Sequence, residues 1–85
     1  MAQEREPDKT IPLGRIKAAI WINRTDDGKA WFNTKLTRSY RDGSEVRDAM
    51  TFGLDDLPVI ALAAFMAYAW IWKQKSKAQP EQAVD

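Results

Sequence analysis

The sequence predicts an α+β domain: an antiparallel β-meander of three strands, or four if a short preceding segment also pairs, followed by one long C-terminal α-helix. Three observations support this fold class. Apolar and polar residues alternate in three segments between residues 14 and 52, glycine-containing turns separate these segments, and an apolar run of helical length follows. With 85 residues, the chain has room for one domain. We expect that domain at residues 14–75.

Turn residues set the limits of the predicted strands. The first strand opens at Gly14 and runs to Asn23, and in it Ile16, Ala18, Ile20 and Ile22 alternate with Lys17, Ala19, Trp21 and Asn23. A turn over residues 25–28, rich in aspartate and glycine, precedes a second strand from Trp31 to Tyr40. A similar turn over residues 41–44 precedes a third strand from Glu45 to Phe52. Loops this short make neighbouring strands antiparallel.

A long helix is predicted from Leu57 to about Lys75. Asp55 and Asp56 offer an N-terminal cap and favourable negative charge, and Pro58 is tolerated in the first turn because its missing N–H needs no partner there. Apolar side chains occupy nearly every side of this helix, whereas one sheet can cover only one side.

The uncovered side of the helix predicts self-association. A large apolar face in water is unfavourable, so we expect a second copy of the chain to cover it, giving a homodimer or a higher homo-oligomer. A membrane is the alternative cover. The charge-free run from Leu57 to Trp72 has 16 residues, however, whereas a spanning helix needs about 20. Membrane association is therefore not expected.

The two ends of the chain are polar. Residues 1–13 predict a mobile leader, within which Thr10 to Leu13 is the candidate for a fourth strand, and residues 76–85 predict a disordered tail. The leader lacks the basic start and apolar stretch of a signal peptide, so we expect a cytoplasmic protein.

The composition argues against an enzyme. The sequence contains no cysteine and no histidine, which removes thiol nucleophiles, Ser-His relays and the usual zinc ligands. No metal and no cofactor is expected. The paired Asp55 and Asp56 are explained by helix capping, and no other set of residues supplies a general base.

Strand alternation divides the sheet residues between two faces. The face toward the helix is predicted to hold Ile16, Ile20, Ile22, Phe32, Leu36, Val46, Met50 and Phe52. Arg38 and Asp48 fall on the same side, where Arg38 needs an acidic partner such as Asp48 or Asp55. The opposite face is predicted to hold Lys17, Trp21, Asn23, Trp31, Asn33, Lys35, Thr37, Arg47 and Thr51.

The opposite face combines indole rings with cations. Eight lysines and arginines but only five acids lie between residues 14 and 53, so positive charge is concentrated on the sheet. Bases of single-stranded nucleic acid stack on such rings while cations meet phosphates. The predicted binding residues are Lys17, Trp21, Trp31, Asn33, Lys35 and Arg47. Two alternatives stay open. In the first, the role of the tryptophans is structural, because they either pair with each other or are covered by a second subunit. In the second, this face docks a protein partner in a scaffold.

Several motifs carry a resemblance to known proteins. Residues 14–21 (GRIKAAIW), 31–33 (WFN), 36–42 (LTRSYRD), 51–53 (TFG), 55–58 (DDLP) and 67–71 (AYAWI) resemble a family of short, uncharacterised bacterial proteins. More remotely, strands followed by a long C-terminal helix are similar to the PC4/Whirly group of single-stranded-DNA-binding transcriptional regulators. This second resemblance implies nucleic-acid binding on a curved sheet and assembly through the helices.

Overall fold

The computed structural model describes residues 5–78 as one four-stranded antiparallel sheet followed by one helix. The elements are β1 (Lys9–Leu13), β2 (Ile16–Arg24), β3 (Ala30–Asp42), β4 (Glu45–Ala49), a single 3₁₀ turn (Leu54–Asp56) and α1 (Leu57–Ala78). The strands lie in the order β1-β2-β3-β4, each antiparallel to its neighbours. The predicted α+β class is confirmed, including the fourth strand.

The strand β1 replaces part of the expected leader. Leu13 pairs with Ile16, so Gly14 and Arg15 form a two-residue turn, and Gly14 adopts a φ of 63° that suits glycine. Ile11 points to the core and is buried, whereas Pro12 is tolerated because β1 is an edge strand. The helix extends to Ala78, beyond the predicted end. Residues 1–4 of the leader and 79–85 of the tail lie outside the described residues.

The core lies between α1 and the face of the sheet formed by β1, β2 and β3. Its centre is Ala18 on β2 with Ala63 and Ala67 on α1, all at most 2% exposed. These small side chains let the helix approach the sheet closely, and Ile16 and Ile20 are fully buried beside them. Partly buried residues surround this centre: Leu13, Phe32, Leu36, Phe52, Val59, Ile60, Trp70 and Ile71.

A buried carboxylate ties the start of the helix to the sheet. The guanidinium of Arg15 donates to both oxygens of Asp56, at 3.0 and 3.1 Å, and Arg38 approaches the same carboxylate at 3.9 Å. Asp56 also accepts from the N–H of Gly53 at 2.9 Å. Asp56 therefore accepts hydrogen bonds from the preceding loop and from Arg15, and it forms a longer ion pair with Arg38. The partner of Arg38 is Asp56, not the expected Asp48 or Asp55, and Arg38 also donates to the carbonyl of Thr51.

We predict that Asp56→Asn lowers the melting temperature by several degrees, because the arginines lose their partner in a mostly buried position. The hydrogen bond from Gly53, followed by the bonds from Arg15, holds the pKa of Asp56 below its ordinary value of 3.8. A carboxylate whose pKa is lowered by folding stabilises the folded state at pH values above its unfolded-state pKa. This stabilisation is lost as the pH falls through the folded-state pKa.

The difference in stability between wild type and Asp56→Asn should therefore be full at neutral pH and shrink below about pH 4. Thermal unfolding followed by circular dichroism at several pH values measures it. Asp55→Asn, which changes the neighbouring exposed carboxylate, is the matched control. Equal melting temperatures for the two variants at pH 7 would contradict this role of Asp56.

Candidate nucleic-acid interface

The face of the sheet away from α1, which we call the outer sheet face, collects most of the predicted binding residues. Trp21 pairs with Asn33, and Lys17 pairs with Thr37 in the register of β2 and β3. Residues opposite each other in an antiparallel pair share a face. This face therefore carries, on these two strands, Lys17, Ala19, Trp21, Asn23, Trp31, Asn33, Lys35 and Thr37.

Trp31 is the more accessible of the two tryptophans on the outer sheet face. Its side chain is 50% exposed near the start of β3, and exposed Asn33 and Lys35 follow it on the same face. Trp21 lies diagonally across from Trp31. Within residues 5–78, ring-to-ring contacts occur on the helix and not between these two tryptophans. Their mutual pairing, which is one part of the first alternative, is thus absent from this part of the chain, and cover by a second subunit stays a prediction.

Trp21 is half-buried because the segment before β1 lies beside it. The indole N–H of Trp21 donates to the carbonyl of Arg5 at 2.9 Å. The N–H of Asp8 donates to the carbonyl of Ile20, and the carboxylate of Asp8 accepts from the N–H of Ile22, both at 2.8 Å. Residues 5–8 therefore extend the pairing of β1 with β2, and they fix the position of the Trp21 ring through its indole N–H.

A shallow cleft of about 190 Å³ crosses the middle of the outer sheet face. Its lining includes Lys17, Trp21, Lys35, Thr37 and Asp48. The ammonium of Lys17 lies 3.6 Å from the carboxylate of Asp48, and both side chains are substantially exposed. Thr37 is 4% exposed, and within residues 5–78 its hydroxyl has no hydrogen-bond partner. The cleft thus has a polar floor between two cations and one acid.

Arg47 was predicted on the outer sheet face, and this prediction is wrong. It pairs with Tyr40, which shares the side of β3 that faces the helix. There its guanidinium contacts Asp42 at 3.0 Å and Glu45 at 2.9 Å. The two-residue turn at Gly43 and Ser44 fixes this register by pairing Asp42 with Glu45, and a shift of one residue reverses both faces of a strand.

The same reversal corrects other residues of the predicted third strand. Val46 falls on the outer side and is 64% exposed, and Met50, which follows the end of β4, is 67% exposed. Neither joins the core. Asp48 moves from the inner to the outer side, where it meets Lys17 and accepts from the hydroxyl of Ser39. Thr51 lies beyond β4, and its carbonyl and hydroxyl both bond to Arg38.

A second exposed surface lies on α1, on the side away from the sheet. We call it the outer helix face; it consists of Ala61, Leu62, Phe65, Tyr68, Ala69 and Trp72. All six residues are exposed, and the four large ones are at least half exposed. By length and composition, the segment Leu54–Ser76 could also cross a membrane, with a mean hydropathy of 1.5. The uncovered apolar side expected from the sequence is therefore present.

Comparison with known proteins adds no assignment to these surfaces. No protein-family model, curated protein or solved structure matches the chain. The resemblance to short bacterial proteins and to the PC4/Whirly group stays a prediction. Within residues 5–78, no three acidic side chains are grouped so as to hold a metal ion.

Residues before β1 contribute contacts that were not predicted from the sequence. Arg5 and Asp8 form an ion pair at 3.2 Å, and Arg5 also reaches the carbonyl of Ile22 at 3.1 Å. The polar composition of this segment gives no signal for such contacts, because they depend on the position of β2 in the fold. The contact of Asp48 with Lys17 could have been predicted from the sequence if Asp48 had been assigned to the outer side of the sheet.

We predict that Asp8→Ala speeds hydrogen exchange at the amide of Ile22 by about tenfold or more, because a hydrogen bond to a charged acceptor is lost. Exchange at the Trp21 indole should also become faster as the segment detaches. Both rates are measured by NMR in deuterated buffer. Glu6→Ala removes a neighbouring exposed acid and should leave them unchanged. Equal Ile22 rates in the two variants would show that Asp8 does not hold this segment.

Proposed function

We propose that the protein is a non-enzymatic module that binds single-stranded DNA or RNA on its outer sheet face. The observation that carries this proposal is the exposed row of Trp31, Asn33 and Lys35 along one side of β3. Successive residues on one face of a strand lie about 7 Å apart. An indole, an amide and an ammonium group are thus presented side by side to one ligand.

Each group in this row suits a different part of a nucleotide. The exposed ring of Trp31 can stack on a base, which contributes about 1 to 3 kcal/mol per base in single-strand binding proteins. Asn33 can donate to and accept from a base edge. Lys35 can contact the phosphate that follows. Trp21 contributes the accessible part of its ring, because Arg5 occupies its indole N–H.

Lys17 is also available to a phosphate despite its acidic neighbour. Its ion pair with Asp48 is exposed and 3.6 Å long, and an exposed pair of this kind contributes little free energy. A phosphate can therefore replace Asp48 as the partner of Lys17 at small cost. Sequence-independent binding through stacking and phosphate contact follows, with strong dependence on salt.

A protein-docking role for the same face is the second candidate, and the acids favour it. Asp48 pairs with Lys17 on this face, and Asp8 accepts from the N–H of Ile22, the residue after Trp21, so the face is not uniformly basic. Tryptophan among mixed charges is also the composition of a protein interface. Resistance of the interaction to salt would distinguish this role, since phosphate binding weakens steeply as salt increases.

We predict that Trp31→Ala weakens binding of a labelled oligothymidine of about 20 nucleotides by roughly 5- to 150-fold, the equivalent of one lost stacking contact. Lys35→Ala should weaken it less and should reduce the slope of log affinity against log salt by about 0.7, the value for one phosphate on a single strand. Fluorescence anisotropy at about 50 and 200 mM salt measures both effects.

Arg47→Ala is the matched control for Lys35→Ala, because it removes the same charge from the opposite side of the sheet. Its affinity and salt slope should equal those of the wild type. Absence of binding by the wild type at the lower salt concentration, or equal losses in Lys35→Ala and Arg47→Ala, would refute binding on the outer sheet face.

A further inference from the structure

We propose that the outer helix face binds a second copy of this chain, with the two α1 helices antiparallel. This inference concerns the side of the molecule away from the outer sheet face. It stands independently of nucleic-acid binding. Four features of α1 carry it: the spacing of its exposed residues, the alternation of large and small side chains, the charges at its two ends, and the apolar area that it exposes.

The spacing of the exposed residues is that of two packed helices. Ala61, Phe65, Tyr68 and Trp72 recur at intervals of four, three and four residues, the period with which side chains of one helix enter the gaps of another. The ring centroids of Phe65 and Tyr68 are 6.2 Å apart, as are those of Tyr68 and Trp72. These rings form a continuous ridge along the helix.

Small side chains beside this ridge leave room for the ridge of a second helix. An antiparallel pair with its two-fold axis at the level of residues 66 and 67 brings Ala61 opposite the partner's Trp72. The same arrangement brings Phe65 opposite the partner's Tyr68, with the small side chain of Ala69 beside that contact. A parallel pair would instead place like against like, crowding tryptophan on tryptophan and leaving a gap at Ala61. Interfaces pack at the density of protein interiors. The antiparallel pair is therefore favoured, because it places the large side chain of Trp72 against the small side chain of Ala61.

The charges at the two ends of α1 favour the same orientation. Exposed Asp55 precedes the helix, and exposed Lys73 and Lys75 lie in its last turns. The ammonium of Lys75 sits 5.3 Å from the centre of the Trp72 ring, at the end of the ridge. Antiparallel packing brings acids near lysines of the other copy and opposes the helix dipoles. Parallel packing would bring lysines together.

The exposed apolar area is sufficient for a stable dimer. The large apolar side chains that remain at least one-third exposed on α1 and its preceding turn are Leu54, Leu57, Leu62, Phe65, Met66, Tyr68 and Trp72. At about 200 Å² for a fully exposed large side chain, they offer roughly 800 Å². A standard stable interface buries about 800 Å² on each partner. The four large side chains of the outer helix face supply about 440 Å² of this area, so a standard interface would also bury Leu54, Leu57 and Met66 beside that face.

The sheet argues against a helix that crosses a membrane. Lys9 of β1 lines a cleft together with Trp70 and Lys73 of α1. Lys29, in the loop before β3, lines another cleft with Lys75. Since α1 is packed along the sheet, it could enter a bilayer only by carrying these charged neighbours with it or by leaving the core. A second copy covers the outer helix face without either cost.

Sedimentation velocity at about 1 to 100 µM protein tests the pairing. The wild type should sediment as a dimer, and Trp72→Glu should raise the dimer dissociation constant by about 100-fold or more, as expected when a large apolar side chain of an interface is replaced by a charged one. Trp31→Glu is the matched control, because Trp31 and Trp72 are both 50% exposed and lie on different surfaces. It should leave the dimer unchanged. Circular dichroism confirms that each variant is folded.

A spin-label distance tests the orientation. The chain has no cysteine, so Ser76→Cys provides a single labelling site on the last turn. At 1.5 Å per residue, the two labels should lie roughly 30 Å apart in the antiparallel pair and roughly 10 Å apart in a parallel one. A monomeric wild type at the highest concentration, a dimer unaffected by Trp72→Glu, or the short distance would each overturn the proposal. A monomer that sediments with anionic lipid vesicles would identify a membrane surface as the partner instead.

Discussion

The structure depends on the close contact between α1 and β2 through alanine. Ala63 and Ala67 on the helix meet Ala18 on the strand, and all three are essentially inaccessible to water. Because small side chains bring the two backbones together, Ile16 and Ile20 are enclosed in a core that is only one helix and one sheet thick. Such a core uses one side of each layer. The outer sheet face and the outer helix face are therefore both left exposed.

Most of the fold could be predicted because the strongest patterns coincide with the buried contacts. Isoleucines alternate along β2 where that strand faces the helix, and the apolar run that follows residue 56 has the length of a helix. The pattern was too weak at β1. Only two of its five residues are apolar and face the core, Ile11 and Leu13, with Pro12 between them. Lys9 lies on the same side of the sheet, and the pairing with β2 depends on a turn at Gly14, a residue that the sequence pattern placed at the start of a strand.

The candidate site was predictable where burial fixes the face of a strand. On β2 and β3, buried or half-buried residues anchor the alternation, so Lys17, Trp21, Trp31, Asn33 and Lys35 were assigned to the correct face. The strand β4 has no such anchor, and the turn at Gly43 and Ser44 sets its register instead. Apolar Val46 was therefore a misleading guide, and Arg47 was assigned to the wrong side. The contacts of Arg5 and Asp8 with β2 join residues far apart in the sequence, so no local sequence pattern predicts them.

The central claim is that ligand binds the sheet on the side that the helix leaves free. NMR amide and indole resonances, recorded with and without oligothymidine, test it most directly because they report every position together. The account predicts shifts concentrated at Trp31, Asn33, Lys35 and the Trp21 indole, with Tyr40 and Arg47 on the other side unaffected. Shifts confined to α1, or spectra that do not change at saturating oligonucleotide, would contradict it.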